Sequence, residues 1–297
     1  MAAGVLLGLA LPPLAHLLSP LLVPALVIPL VLALMRLDWS AIGAYRRRPL
    51  LLLALIGWLL VVSPLLVHAV VLAWPWPPPD ALHTALVLMA ASSPIVASVA
   101  IALLLGLDAT FAVVAVLVAT ALVPLTLPAI AIALLGVGVD VDVPALALRL
   151  ALMIGGAFAA AGALRRWAPT LQAPARRATL DGLAVLTLVV FAIAIMDGVT
   201  AFMLARPAYA ALAIALAFGS NLLLQAAGAV VFARQGRATA LTAGLVSGNC
   251  NMGLVLVALG PGAPADVAVF FALGQLPMYL LPALLQPVYR RLLQGRD

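Results

Sequence analysis

Ser247-Gly248-Asn249-Cys250-Asn251-Met252 (SGNCNM) sets a serine, two asparagines and the only cysteine of the chain in the middle of the otherwise apolar run 238–259. Polar groups in hydrocarbon cost free energy unless they are satisfied, and backbone that leaves the helix at membrane depth is tolerated only where it is buried in protein or lines a cavity. The stretch therefore predicts a break in a membrane-crossing helix. Gly244, Gly248 and Gly253 weaken the helix there, while Ser247, Asn249 and Asn251 offer side-chain groups to the freed backbone.

The surrounding composition requires that reading. Of 297 residues, 67% are hydrophobic and 8% charged, and the mean hydropathy is +1.29, far outside the range of a soluble domain. Every basic residue is Arg and every acidic one Asp. The net charge of +6 comes from short arginine clusters between apolar runs, as beside anionic lipid, and no basic domain points to nucleic acid. A lone cysteine excludes an internal disulfide. The stretch from Gly4 to Leu18 has no basic leader and contains Pro12 and Pro13, so it reads as a retained short helix.

Punctuation by Arg, Pro, Gly and Asp divides the chain into ten candidate spans: 4–18, 20–35, 50–73, 81–105, 109–135, 144–163, 180–203, 207–233, 238–259 and 265–289. The first two are separated by Ser19-Pro20, and either could be half-length. With both termini on the cytoplasmic side, Arg36, Arg46–Arg48, Arg165, Arg166, Arg176, Arg177, Arg234, Arg237, Arg290, Arg291 and Arg296 fall inside. Only Arg149 and Arg206 fall outside, with Asp80, Asp140, Asp142 and Asp266. The expectation is an all-α polytopic membrane protein of two inverted five-helix repeats, residues 1–135 and 136–297. In the fourth span Ser92-Ser93-Pro94 occupies the place that SGNCNM holds in the ninth. Two interrupted helices in corresponding positions point to a substrate site between the halves. Their second halves would offer N–H groups to an anion, and the carbonyls ending the first halves would face a cation.

At this point the chain resembles the bile acid:sodium symporter family. The likeness is carried by LGLALPPLAHLLSPLLVPAL (7–26), RLDWSAIGAYRRRPLLLLAL (36–55), ASSPIVASVAIALLLGLDATFAVVAVLVATALVPLTLP (91–128) and TAGLVSGNCNMGLVLVAL (242–259). The resemblance implies ten helices, a panel domain (helices 1, 2, 6 and 7), a core domain (3–5 and 8–10) in which helices 4 and 9 unwind and cross, and alternating access. It implies a secondary transporter of small organic anions in the inner membrane of a bacterium, with no enzymatic activity and no cofactor beyond Na⁺ or H⁺ as coupling ion. The chain departs from the family in its cation ligands. A Glu of the ninth helix and a Gln-Asn pair read Val246, Cys250 and Asn251; the fourth-helix Ala-Ser-Asn reads Ala97-Ser98-Val99, so Ser98 remains and the Asn does not, and a third-helix Gln is replaced near Leu59.

The candidate substrate-binding residues are Ser92, Ser93, Pro94, Asn249, Cys250, Asn251, Asn221 and Gln275. Ser98, Thr120, Ser247 and Asn251 remain as ligands for a coupling cation, and Asp197, beside a span, as a proton carrier or an interfacial carboxylate. Asn221 shares a helix face with Gln225, and the pair either faces the crossing or joins neighbouring helices. Asp108 reads as a helix cap. His68 and His83 lack the acidic or thiol partners of a metal site. An efflux carrier of the auxin or arsenite type is the nearest alternative; a sensor or scaffold of the same fold comes from another class. The aspartate-pair and serine–histidine patterns of intramembrane proteases are missing.

Overall fold

The computed structural model describes residues 2–36, 43, 48–136 and 141–294. The charges expected at Arg46, Arg47, Asp140 and Arg296 lie outside the described residues. The fold is all-α, and among the described residues the only β-type pairing is one isolated bridge. In lipid a helix satisfies its backbone internally, which is why an apolar chain of this kind resolves into helices.

Helices α1 (Ala2–Ala10), α2 (Pro12–Leu18) and α3 (Leu22–Arg36) come first; α4 (Pro49–Gly57) continues through a π-helical turn, Trp58–Val62, into α5 (Ser63–Ala73). Then follow α6 (Asp80–Ala90), α7 (Ala97–Leu105), α8 (Ala109–Leu135), α9 (Val143–Trp167), α10 (Arg177–Ala194) and α11 (Val199–Ala205). The last group is α12 (Pro207–Val231), α13 (Arg237–Gly248), α14 (Met252–Leu259), α15 (Ala265–Leu273), α16 (Gln275–Leu284) and α17 (Gln286–Gln294). Among the described residues, seven helical stretches are long and apolar enough to cross a membrane: Pro12–Arg36, Pro49–Ala73, Ala109–Leu135, Val143–Trp167, Pro174–Ala205, Pro207–Val231 and Ala265–Leu284.

Proline and aspartate set the boundaries. Leu11, Arg48 and Arg206 each precede a proline, leave the α region and open the next helix with Pro in its first turn. Asp108 and Asp142 cap α8 and α9, accepting from the N–H groups of Phe111 (2.9 Å) and Ala145 (3.0 Å). The break near the N-terminus corrects the expected boundary between the first two spans. It falls at Leu11, before the Pro12-Pro13 pair, and Ser19-Pro20 forms a 3₁₀ turn inside one long helical stretch. Pro20 is tolerated because it occupies a first turn, where the Ser19 hydroxyl donates to the His16 carbonyl at 2.9 Å.

Helix α8 buries Ala112, Ala115, Ala119, Val123, Leu127 and Ala131 at three- and four-residue spacing along its length, and Phe111, Val114, Val116, Leu117 and Thr120 on the other faces of its first turns. Away from the interior, Leu103, Leu104 and Leu204 are 71%, 78% and 80% exposed, as residues facing lipid would be. Helix α10 packs on α1, α2 and α3, and α3 also on α9; separately, α12 packs on α13 and α15, and α6 on α5 and α15. Charged ends gather. Arg36 pairs with Asp181 and donates to the Arg177 carbonyl (2.9 Å), while Arg165 donates to the Met35 carbonyl (3.0 Å).

The two arginines expected on the side opposite the other clusters, Arg149 and Arg206, both have partners. Arg206 pairs with Asp266 and lies over the rings of Phe202 and Tyr209, 5.1 and 4.7 Å from their centroids. Arg149, on α9, caps the C-terminal end of α14 by donating to the Leu259 carbonyl. Gly260, at φ 69°, follows that carbonyl, and a Cβ there would collide with the guanidinium.

Candidate functional site at a chain crossing

Helix α6 stops at Ala90 because Pro94 cannot continue it: Pro has no N–H, and its ring disfavours helical backbone in the residue before it. The Ser92 hydroxyl turns back to the Met89 carbonyl (2.7 Å) and closes the helix end. Helix α13 stops at Gly248 in a different way. Cys250 N–H donates to the Gly248 carbonyl (3.0 Å) and Met252 N–H to the Cys250 carbonyl (2.9 Å). Asn249 and Asn251 stand between them at φ −85°, ψ 62° and φ −82°, ψ 66°, so SGNCNM folds as two consecutive inverse γ-turns.

The two breaks meet. Ile95 N–H donates to the Asn249 carbonyl (2.9 Å) and Asn251 N–H to the Ser93 carbonyl (2.8 Å), an antiparallel bridge in which Pro94 faces Cys250. Because the bonds are made by the flanking residues, Pro94 occupies the position where a missing N–H costs nothing. The polar stretch thus gives its backbone partners in the absence of a helix.

Side chains secure both ends. Asn251 caps α14, its Oδ1 accepting from Leu254 N–H (3.1 Å). Asn221 donates from Nδ2 to the Gly248 carbonyl (2.8 Å) and accepts from Gln225, whose Oε1 accepts from the Tyr289 hydroxyl (2.6 Å). Trp58, in the π-helical turn, donates to the Ser247 hydroxyl (2.8 Å), which donates to the Ala243 carbonyl (2.6 Å). Asn221 and Ser247 are therefore engaged in holding the break. The Cys250 thiol is buried and lies 3.3 Å from the Ser247 carbonyl.

A cavity of about 340 Å³ lies between α3 and α10 on one side and the crossing with α16 on the other. Ile95, Val96 and Ala97 line it where α7 starts with no side-chain cap, and so do Asn251 and Gln275. Gln275 is fully buried; its Nε2 donates to the Phe271 carbonyl (3.1 Å), and its Oε1 has no hydrogen-bond partner. Arg36 and Asp181 also line the cavity, as does Phe191, whose ring covers Gly253 in the first turn of α14.

Of the residues singled out from the sequence, Asn251 and Gln275 line this cavity, and Ser93, Pro94, Asn249 and Cys250 form the crossing beside it. Ser92 is turned toward its own helix. The buried hydroxyls of Ser93, Ser98 and Thr120 and both amide atoms of Asn249 have no protein partner. Asp197 is elsewhere: it lies in the turn between α10 and α11, 3.2 Å from His16, and is not part of the cavity lining. His68 and His83 stack, with Nδ1 and Nε2 2.9 Å apart. Sequence reasoning used Arg36 only as a topology marker and passed over Asp181. Their 145-residue separation leaves no local pattern; the only signal was an Asp one helical turn after Arg177.

No family model matches the chain, and no curated protein matches it.

Proposed function

We propose that the chain is a secondary transporter of small organic anions working by alternating access, as its resemblance to the bile acid:sodium symporter family implies. The observation that carries this reading is the cavity beside the crossing, in whose lining the buried Gln275 Oε1 is left unpartnered by the protein, as are the Ser93 hydroxyl and the Asn249 amide in the crossing itself. The open backbone at the start of α7 and the Asn251 amide suit a carboxylate, and the Gln275 oxygen suits a donor on the same molecule, while the Arg36 charge at the lining is balanced by Asp181. In this reading α6 with α7, and α13 with α14, are each one interrupted span, and Ala2–Ala10 is a half-length first span. That gives ten membrane segments in two inverted repeats, 1–135 and 136–297, of which the first, nine residues or about 14 Å long, reaches only part of the way across. Helices α1–α3 and α9–α11 form the panel against which the remaining core moves, and the C-terminus is cytoplasmic in a bacterial inner membrane.

The coupling ion is Na⁺ or H⁺. Ser98 and Thr120 present buried hydroxyl oxygens without partners, which suit a desolvated cation but supply no negative charge. The ion pair of Asp181 with Arg36 and the place of Asp197 away from the cavity give no support to a carboxylate-held ion. The buried Cys250 thiol likewise gives none to arsenite efflux.

Uptake into proteoliposomes tests the proposal. Labelled carboxylates of three to ten carbons are offered with a sodium gradient, a proton gradient or neither. Saturable, gradient-dependent accumulation of at least one is expected, and exchange no faster than protein-free vesicles for the whole series would sink the transporter reading. Steeply cooperative sodium dependence would require two cation sites that Ser98, Thr120 and Asn251 do not by themselves provide.

A further inference from the structure

A second concavity, independent of the transport reading, opens on the lipid-facing side between Pro49–Val62 and the end of α12. It is a groove of about 1270 Å³, with Arg48, Arg234 and Gln235 among its lining residues. Its walls are apolar: Leu50 is 80% exposed, Val61 42%, Val62 45% and Val231 56%. Gly57 has nothing within 4 Å of where a Cβ would stand, so it keeps the groove open. Trp58 turns its N–H inward to Ser247 and leaves ring carbons to line the wall.

Among the described residues, neither Arg48 nor Arg234 is paired with a carboxylate in the ion pairs seen, such as Arg36–Asp181 and Arg206–Asp266. Helix α4 starts beside Arg48 with Pro49 in its first turn and no side-chain cap. The N–H groups of Leu50 and Leu51 are left without intrahelical partners and add partial positive charge. From Arg48 to Val62 the helical rise is about 21 Å, more than the ~15 Å depth of one hydrocarbon leaflet. A molecule with an anionic head at the arginines can lay a whole acyl chain along these walls.

We propose that this groove is a binding site for an anionic phospholipid, with its phosphate between Arg48 and Arg234 and one acyl chain along Leu50, Gly57 and Val61. Two arginines at a membrane surface each favour an anionic over a zwitterionic headgroup about fivefold, or roughly 25-fold together. Native mass spectrometry of the full chain in detergent, with phosphatidylglycerol or phosphatidylcholine added, reads this directly. Wild type is expected to retain phosphatidylglycerol at least tenfold better than phosphatidylcholine. The double variant Arg48→Gln, Arg234→Gln should lose that preference, and Arg290→Gln, Arg291→Gln, outside the groove, should keep it. Gly57→Leu, which fills the groove and leaves both charges, should weaken retention of phosphatidylglycerol while sparing the control lipid; it also serves if the double variant does not fold. Equal retention of the two lipids overturns the proposal, as does a folded double variant that still prefers phosphatidylglycerol. So does inorganic phosphate displacing the lipid while Gly57→Leu binds it normally, since that describes a free-anion site.

Discussion

At the scale of single residues, Asn251 holds three positions at once: its N–H bonds Ser93, its Oδ1 caps α14, and it lines the cavity. Asn251→Ala removes the cap, at a cost of about 1 kcal/mol, and also removes the amide group from the cavity. The protein should still fold, with a modest drop in melting temperature, and lose uptake of whichever anion the wild type carries. Cys250→Ala, whose side chain faces away into buried packing, should retain most uptake. A folded Asn251→Ala protein transporting at the wild-type rate would show that the polar stretch serves only its backbone. Asn251 and Gln275 were legible in the sequence because amides inside an apolar run are conspicuous. The ends of the cavity were not, since Arg36 and Asp181 become neighbours only when α3 packs on α10.

At the scale of elements, the glycines around the ninth span have a second use that propensity did not reveal. A Cβ on Gly244 would come 2.5 Å from the Gln225 carbonyl oxygen, one on Gly248 2.5 Å from Gln225 Cγ, and one on Gly228 2.5 Å from the Ser247 hydroxyl. Bare backbone thus lets α12 and α13 approach closely enough for Asn221 to reach the Gly248 carbonyl. Gly248→Ala is expected to destabilise by about 1–3 kcal/mol, as overpacking does, visible as a lower melting temperature in detergent. Gly219→Ala, on the same pair of helices but with open space around it, should leave stability unchanged or raise it. Helix existence followed from long apolar runs; the closeness of two helices depends on which faces meet. The same limit misplaced the first boundary, because Ser19-Pro20 and Pro12-Pro13 are equally good stops until packing selects one.

At the scale of the whole molecule, the arginine asymmetry predicts which way the chain is oriented. A single cysteine introduced at Arg177 of a Cys250→Ala background should react with a membrane-impermeant maleimide only from the cytoplasmic face, and one at Asp142 only from the opposite face. Reaction at Asp142 from the cytoplasm would overturn the ten-span arrangement proposed above. The all-α membrane class was readable from composition alone; the pairing of the two breaks was readable only as an expectation, since no local pattern joins Ser93 to Asn251. One arrangement bears on movement. Helix α14 carries a glycine at its start under Phe191 of α10 and a glycine just past its end against Arg149 of α9. Each side chain sits in a notch that a Cβ would fill, and the notches are seven residues apart, about two helical turns. A slide of α14 along its neighbours would have to lift an aromatic ring and a guanidinium from their seats together. Under the alternating access proposed above, such a seam would act as a two-tooth detent, resisting small displacements and favouring discrete jumps between resting positions.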